Sequence, residues 1–145
     1  MSIVKIIVEA NIAQPVEKTW QFYNEPQHIT QWNFASPDWH CPSAQSDLRV
    51  GGKYISRMEA RDGSMGFDFE ATFDEVDLHK KIAYTMSDGR KADIFFHSTG
   101  NTSSITIVFD AESENSPELQ KSGWQAILNN FKAYSEGKLV VNGER

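Results

Sequence analysis

The sequence predicts an α+β fold: a curved antiparallel sheet of about six to seven strands around one long C-terminal helix, with two short helices after the first strand. Three observations predict it. Between Tyr54 and Phe109, apolar and polar side chains alternate with period two, in short runs separated by glycine-containing turns. From Ser116 onward the apolar side chains recur three and four apart instead, as on one face of a helix. A length of 145 residues suits one core rather than two.

The elements follow in order. Ile6, Val8, Ala10 and Ile12 alternate with Ile7, Glu9 and Asn11, which predicts a strand over Ile3–Ile12 with one buried face. Pro15 suits a first helical residue, and Val16, Thr19, Trp20 and Tyr23 give a short helix one apolar face. Asn24-Glu25-Pro26 breaks it, and Pro26 opens a second short helix ending near Trp32. Residues 33–51, with Pro37, Pro42 and three serines, read as an irregular loop ended by Gly51-Gly52.

Strands follow. Tyr54, Ser56, Met58 and Ala60 point one way and Ile55, Arg57 and Glu59 the other, before an Arg61-Asp62-Gly63-Ser64 turn. Phe67, Phe69, Ala71 and Phe73 alternate with Asp68, Glu70, Thr72 and Asp74. Ile82, Tyr84 and Met86 precede the Asp88-Gly89 turn, Ala92, Ile94 and Phe96 follow it, and Gly100-Asn101 turns into Ile105, Ile107 and Phe109. This is the pattern of an antiparallel meander.

Ser116 is a good N-cap, Pro117 a good first helical residue, and Glu118 suits the positive end of the helix dipole. Trp124, Ile127, Leu128, Phe131 and Tyr134 form the apolar stripe, and Gly137 is the stop signal. About 20 residues rising 1.5 Å each give a helix of roughly 30 Å, about the width of six strands spaced near 4.8 Å. The expected organisation is one domain over residues 1–137 and a tail over 138–145.

Composition narrows the function. With 20 acidic against 14 basic side chains and a formal charge of −6, the chain lacks the basic surplus that nucleic-acid binding needs. No apolar run approaches the roughly 20 residues of a membrane span, and Lys5 and Glu9 interrupt the N-terminal one. The single cysteine, Cys41, has no internal partner, which predicts a reducing, cytoplasmic location. His40 and Cys41 alone do not make a metal site, because His28, His79 and His97 fall in separate elements. No metal and no cofactor is expected.

Several strings resemble a known family. Ile12-Ala13-Gln14-Pro15 with Trp20 is similar to its opening motif, although Gln14 separates the alanine from the proline. Pro26 to Trp32 resembles the close of its second short helix, and Gly51-Gly52-Lys53-Tyr54 resembles its approach to the sheet. Ser116-Pro117-Glu118-Leu119-Gln120, continued by Gly123-Trp124 through Tyr134, resembles the terminal helix of the bacterial branch related to the activator of the heat-shock protein 90 ATPase. The resemblance spans Ile3 to about Glu136 and implies the helix-grip, or START-like, fold. That superfamily includes polyketide cyclases, lipid carriers, hormone receptors and co-chaperones, so the fold alone does not select one activity.

The inward strand face and the helix stripe together predict an apolar hollow with the phenols of Tyr54 and Tyr84 as polar tips. The expected ligand-binding residues are Trp32, Trp39, Tyr54, Met58, Phe69, Tyr84, Phe96, Trp124 and Leu128, under a lid formed by residues 33–50. No catalytic residue is assigned. Gly123 disfavours a helix by about 1 kcal/mol against alanine, which suggests close approach by a neighbour such as the segment carrying Trp39. Arg57, Glu59, Asp68, Glu70 and His97 are expected on the outer, wet face.

The leading expectation is binding of a hydrophobic or amphipathic small molecule. An enzyme of the cyclase or hydratase kind would need Glu59, Asp68 or His97 inside the hollow. A co-chaperone role, with a chaperone ATPase as partner, is implied by the resemblance alone. A homodimer through the edge strand near Ile3–Ile12 or through Trp39 is a further expectation.

Overall fold

A computed structural model describes residues 4–139. The first strand, β1, covers Lys5–Ile12 and buries Ile6, Val8 and Ile12 as the alternation predicts, while Ile3 lies outside the described residues. Two helices follow, α1 over Val16–Asn24 and α2 over Pro26–Trp32. Pro15 is the N-cap of α1 rather than its first residue, because its ψ of 155° is extended.

The strands β2 (Trp39–Ser46), β3 (Lys53–Ala60), β4 (Gly66–Asp77), β5 (Lys81–Met86), β6 (Lys91–Ser98) and β7 (Ser103–Asp110) complete the sheet. Its order is β1-β7-β6-β5-β4-β3-β2, and every neighbouring pair is antiparallel. The fold is the expected helix-grip α+β arrangement, with seven strands.

One expectation fails here. Residues 39–46 are not a free loop but the edge strand β2, paired to β3 with a register shift between His40 and Ser43. The shift surrounds Pro42, and an edge strand tolerates proline where no ladder N–H is required. The lid expected over residues 33–50 is therefore sheet for much of its length. In β4 a second irregularity falls between Phe73 and Glu75, beyond the run Phe67–Phe73, so the predicted face assignment stands for that run.

The last helix, α3, covers Pro117–Ser135. Ser116 caps it by accepting the Leu119 N–H, and Gly137, at φ 73°, ends it with its N–H on the Tyr134 carbonyl at 3.0 Å. Leu128 and Phe131 on its inner side are 1% and 0% exposed. Burying each such side chain contributes roughly 1.5–3 kcal/mol. Leu139 packs against the core, and the rest of the expected tail, 140–145, lies outside the described residues.

Polar groups fix where α3 lies. Gln125 donates to the Glu9 carbonyl at 3.1 Å, Lys132 donates to the Asn11 carbonyl, and Glu136 accepts the Ala13 N–H at 2.9 Å. These side chains satisfy the outward backbone of β1 and draw the helix along that edge. These bonds occupy the β1 edge at Glu9 and Asn11, and Ile7 on the same strand is exposed. α2 lies along β2 at the opposite edge, which leaves the middle strands uncovered between the two helices.

Candidate functional site

The uncovered region is a cavity of about 260 Å³. Its floor is Tyr54 and Met58 of β3, Phe67 and Phe69 of β4, Tyr84 of β5 and Ile107 of β7. Its walls are Trp124, Ile127 and Leu128 of α3, Tyr23 of α1, Trp32 and Asn33 at the end of α2, and Arg90 after the β5–β6 turn. The volume lies between the roughly 150 Å³ that admits a benzene and the roughly 300–1,000 Å³ of drug-sized sites. It fits one or two fused rings and is too small for a diacyl lipid.

Aromatic contacts define its shape. Trp124 stacks on Phe109 and meets Phe69 edge-on, with centroids 6.4 Å apart. Tyr54 and Tyr84 lie parallel at 6.0 Å, and Phe69 meets both edge-on at 6.0 Å. Tyr23 stacks on Trp32 at 5.1 Å and meets Phe131 edge-on at 5.2 Å. Offset and edge-on arrangements such as these add about 0.5–1.5 kcal/mol per pair beyond area burial, and they hold the walls in place.

Three phenols reach this space from different strands and helices. Burial pushes Tyr54 up to about 12 and also raises Tyr23 and Tyr84, with Tyr54 opposing ionisation of both and Tyr23 that of Tyr84. All three are neutral hydrogen-bond donors at physiological pH. Asn33 Nδ2 donates to the Tyr54 hydroxyl at 3.4 Å, while the Tyr23 and Tyr84 hydroxyls have no hydrogen-bond partner among the described residues. Burial likewise raises the Cys41 thiol to about 11, so it is held as an unreactive thiol in the core.

Seven of the nine expected ligand-binding residues line the cavity: Trp32, Tyr54, Met58, Phe69, Tyr84, Trp124 and Leu128. Two do not. Trp39 is carried by β2 to the sheet edge, where it lies 6.1 Å from Phe67 and borders a shallow outer groove with Arg61 and Met65. Phe96 is buried under α1, 4.9 Å from Trp20 and 5.6 Å from Tyr23. Sequence reasoning placed Tyr23, Ile107 and Ile127 on apolar faces without assigning them to the site. Nothing in the sequence pointed to Asn33 or Arg90.

Gly123 has no neighbour within 4 Å of where a Cβ would stand, so no segment approaches it. The close approach lies elsewhere, at Gly52, where a Cβ would fall 1.9 Å from the Asp47 carbonyl oxygen.

Arg57 bonds Glu59 at 2.9 Å and Asp68 at 3.4 Å on the outer face, and His97 is exposed there too. The enzymatic reading that relied on Glu59, Asp68 or His97 has none of them at the cavity. Among the described residues no three His, Cys, Asp or Glu side chains converge as metal ligands, and no helix is long and apolar enough to cross a membrane.

Residues 13–136 match the family described as Activator of Hsp90 ATPase homolog 1-like protein. No curated protein matches the chain. It is similar to an AHSA1-like protein from Aeromonas hydrophila, with 43% identity and a TM-score of 0.87 over 92% of this chain and 93% of that one. It is also similar to a protein from Cytophaga hutchinsonii, with 51% identity and a TM-score of 0.79 over 92% of each chain. A protein from Chromobacterium violaceum shares the fold at 21% identity, with a TM-score of 0.81 over 91% of this chain and 96% of that one. A match spanning most of its length, together with close relatives on the same fold, means that the chain belongs to the family of proteins like activator of Hsp90 ATPase homolog 1.

Proposed function

We propose that this chain binds a small aromatic or amphipathic molecule in the cavity between α3 and the middle strands. The observation that supports the reading is a partly enclosed apolar space of about 260 Å³ whose walls carry neutral phenols but no carboxylate or imidazole. Such a lining favours holding a ring and orienting it by hydrogen bonds, and it offers no base for proton abstraction. The single thiol, Cys41, buried and unpaired, fits a reducing compartment such as the cytoplasm.

Tryptophan fluorescence tests the reading, because Trp32 and Trp124 both line the cavity. Titration with fatty acids, flavonoids and polyketide-like aromatics should give saturable quenching with the one- and two-ring compounds. Replacing Trp124 with Phe should remove most of that signal. No change in tryptophan emission with any class would sink the proposal.

Family membership supports a second reading, docking to a chaperone ATPase. It requires that immobilised protein retain such a chaperone from a cell extract and raise its ATP turnover. Absence of both effects would remove it.

A further inference from the structure

Among the residues lining the cavity only one carries a charge, the guanidinium of Arg90. Its backbone closes the β5–β6 turn, with its carbonyl accepting the Met86 N–H at 2.7 Å. Its side chain is three-quarters buried, at 25% exposure. Two tethers fix its direction: Nε donates to Asp88 Oδ2 at 2.7 Å, and Nη1 donates to the Asp110 carbonyl at 3.3 Å. Nη2 has no partner among the described residues. A guanidinium is a planar fork of five donors, so a largely buried one with an unused edge has unmet hydrogen-bonding capacity.

The surroundings select the complement. Nearby stand the neutral phenols of Tyr54 and Tyr84, both able to donate, and Arg90 lies close enough to Tyr84 for its charge to favour the phenolate slightly. No aspartate or glutamate lines the cavity; the counter-ion Asp88 is half-exposed and lies in a neighbouring groove that Arg90 borders together with Asp68 and Glu70. A cationic ligand would meet the guanidinium as a like charge, with its nearest carboxylate, Asp88, already engaged by Nε and outside the cavity lining. An anion would meet an oriented edge and hydroxyl donors.

We propose that the molecule held in the cavity is an aromatic acid, its carboxylate received by the free edge of Arg90 and its ring placed between Trp124, Phe69 and the tyrosines. This assignment rests on the ligand-binding reading above and deepens it by naming the ligand class.

Three probes of one shape test it on the full chain at pH 7: 2-naphthoate, 2-naphthamide and 2-naphthylmethylamine, followed by titration calorimetry. The acid should bind at least tenfold more tightly than the amide, and the ammonium most weakly. Arg90→Gln should bring the acid-to-amide ratio to within twofold of one, and Arg90→Lys should restore part of it. Asp88→Asn, which keeps an acceptor for the turn N–H but removes the competing charge, should widen the ratio. The wild-type series needs no variant, so a folding defect in Arg90→Gln does not remove the test. Equal binding of amide and acid by the wild-type protein would overturn the anion assignment and leave cavity binding standing. Binding of none of the three would overturn both.

Discussion

Trp124 lies flat on Phe109, their ring centroids 3.9 Å apart and their planes within 12°. This contact joins α3 to β7. Phe109 is fully buried, whereas Trp124 is half-buried and turns its other side to the cavity. One indole therefore serves both as helix anchor and as cavity wall.

Removing it should be costly. Trp124→Ala is expected to destabilise the protein by about 2–3 kcal/mol, less than the roughly 3–5 kcal/mol of a fully buried tryptophan because part of the ring already meets solvent or cavity. Trp124→Phe keeps the stack and should cost less than half as much. Urea unfolding of the three proteins checks this. Equal stability of Trp124→Ala and wild type would mean that the stack does not hold the helix.

Two glycines should respond with opposite signs. Gly123 is helical with open space around its missing side chain, so Gly123→Ala should stabilise by roughly 0.5–1 kcal/mol through helix propensity and a less flexible unfolded chain. Gly52→Ala would drive a methyl carbon into the Asp47 carbonyl and separate the turn from β4, where Gly52 accepts the Phe73 N–H at 2.9 Å. Melting temperatures should rise for the first substitution and fall by several degrees or more for the second. A fall for Gly123→Ala would restore the close approach that its position first suggested.

Acid should weaken the fold at an identifiable carboxylate. Burial works to raise the pKa of Asp110, but ion pairing with Lys5 and the Lys91 N–H at 2.9 Å outweigh it, and the net shift is downward. A carboxyl group held below its unfolded value stabilises the fold above that value, near pH 4, and the contribution is lost as pH falls through the folded one. Wild-type stability should therefore decline below about pH 4. Asp110→Asn should lower stability at pH 7 and flatten the decline. An unchanged slope in that variant would assign the acid sensitivity to other groups.

Most of the fold was legible because burial imposes period two on one-sided strands and near-period four on a one-sided helix. Phe67 to Phe73, Ile105 to Phe109 and Trp124 to Tyr134 could be placed from those periods alone. β2 was not, since Trp39-His40-Cys41-Pro42-Ser43 carries a proline and a register shift, and an edge strand needs neither strict alternation nor every N–H. Seven of the nine expected residues line the cavity because the periods that mark the core also mark its apolar walls. Arg90 was invisible because a charged residue after an Asp-Gly turn looks like solvent-facing hairpin, whereas the structure holds it by bonds to Asp88 and the Asp110 carbonyl at the cavity border. Phe96 was assigned to the site because periodicity gives the face of a strand but not the position along the sheet, and Trp39 because its segment read as a lid rather than an edge strand.

The most direct test of a ligand cavity beneath α3 is a methyl NMR titration of the protein with 2-naphthoate, following Met58, Ile107, Ile127 and Leu128 together with the Trp124 indole. Saturable, concerted shifts are expected in these five groups from two strands and one helix, with Val16 and Ile29 unmoved. Absence of shifts, or shifts confined to residues outside the cavity, would contradict it.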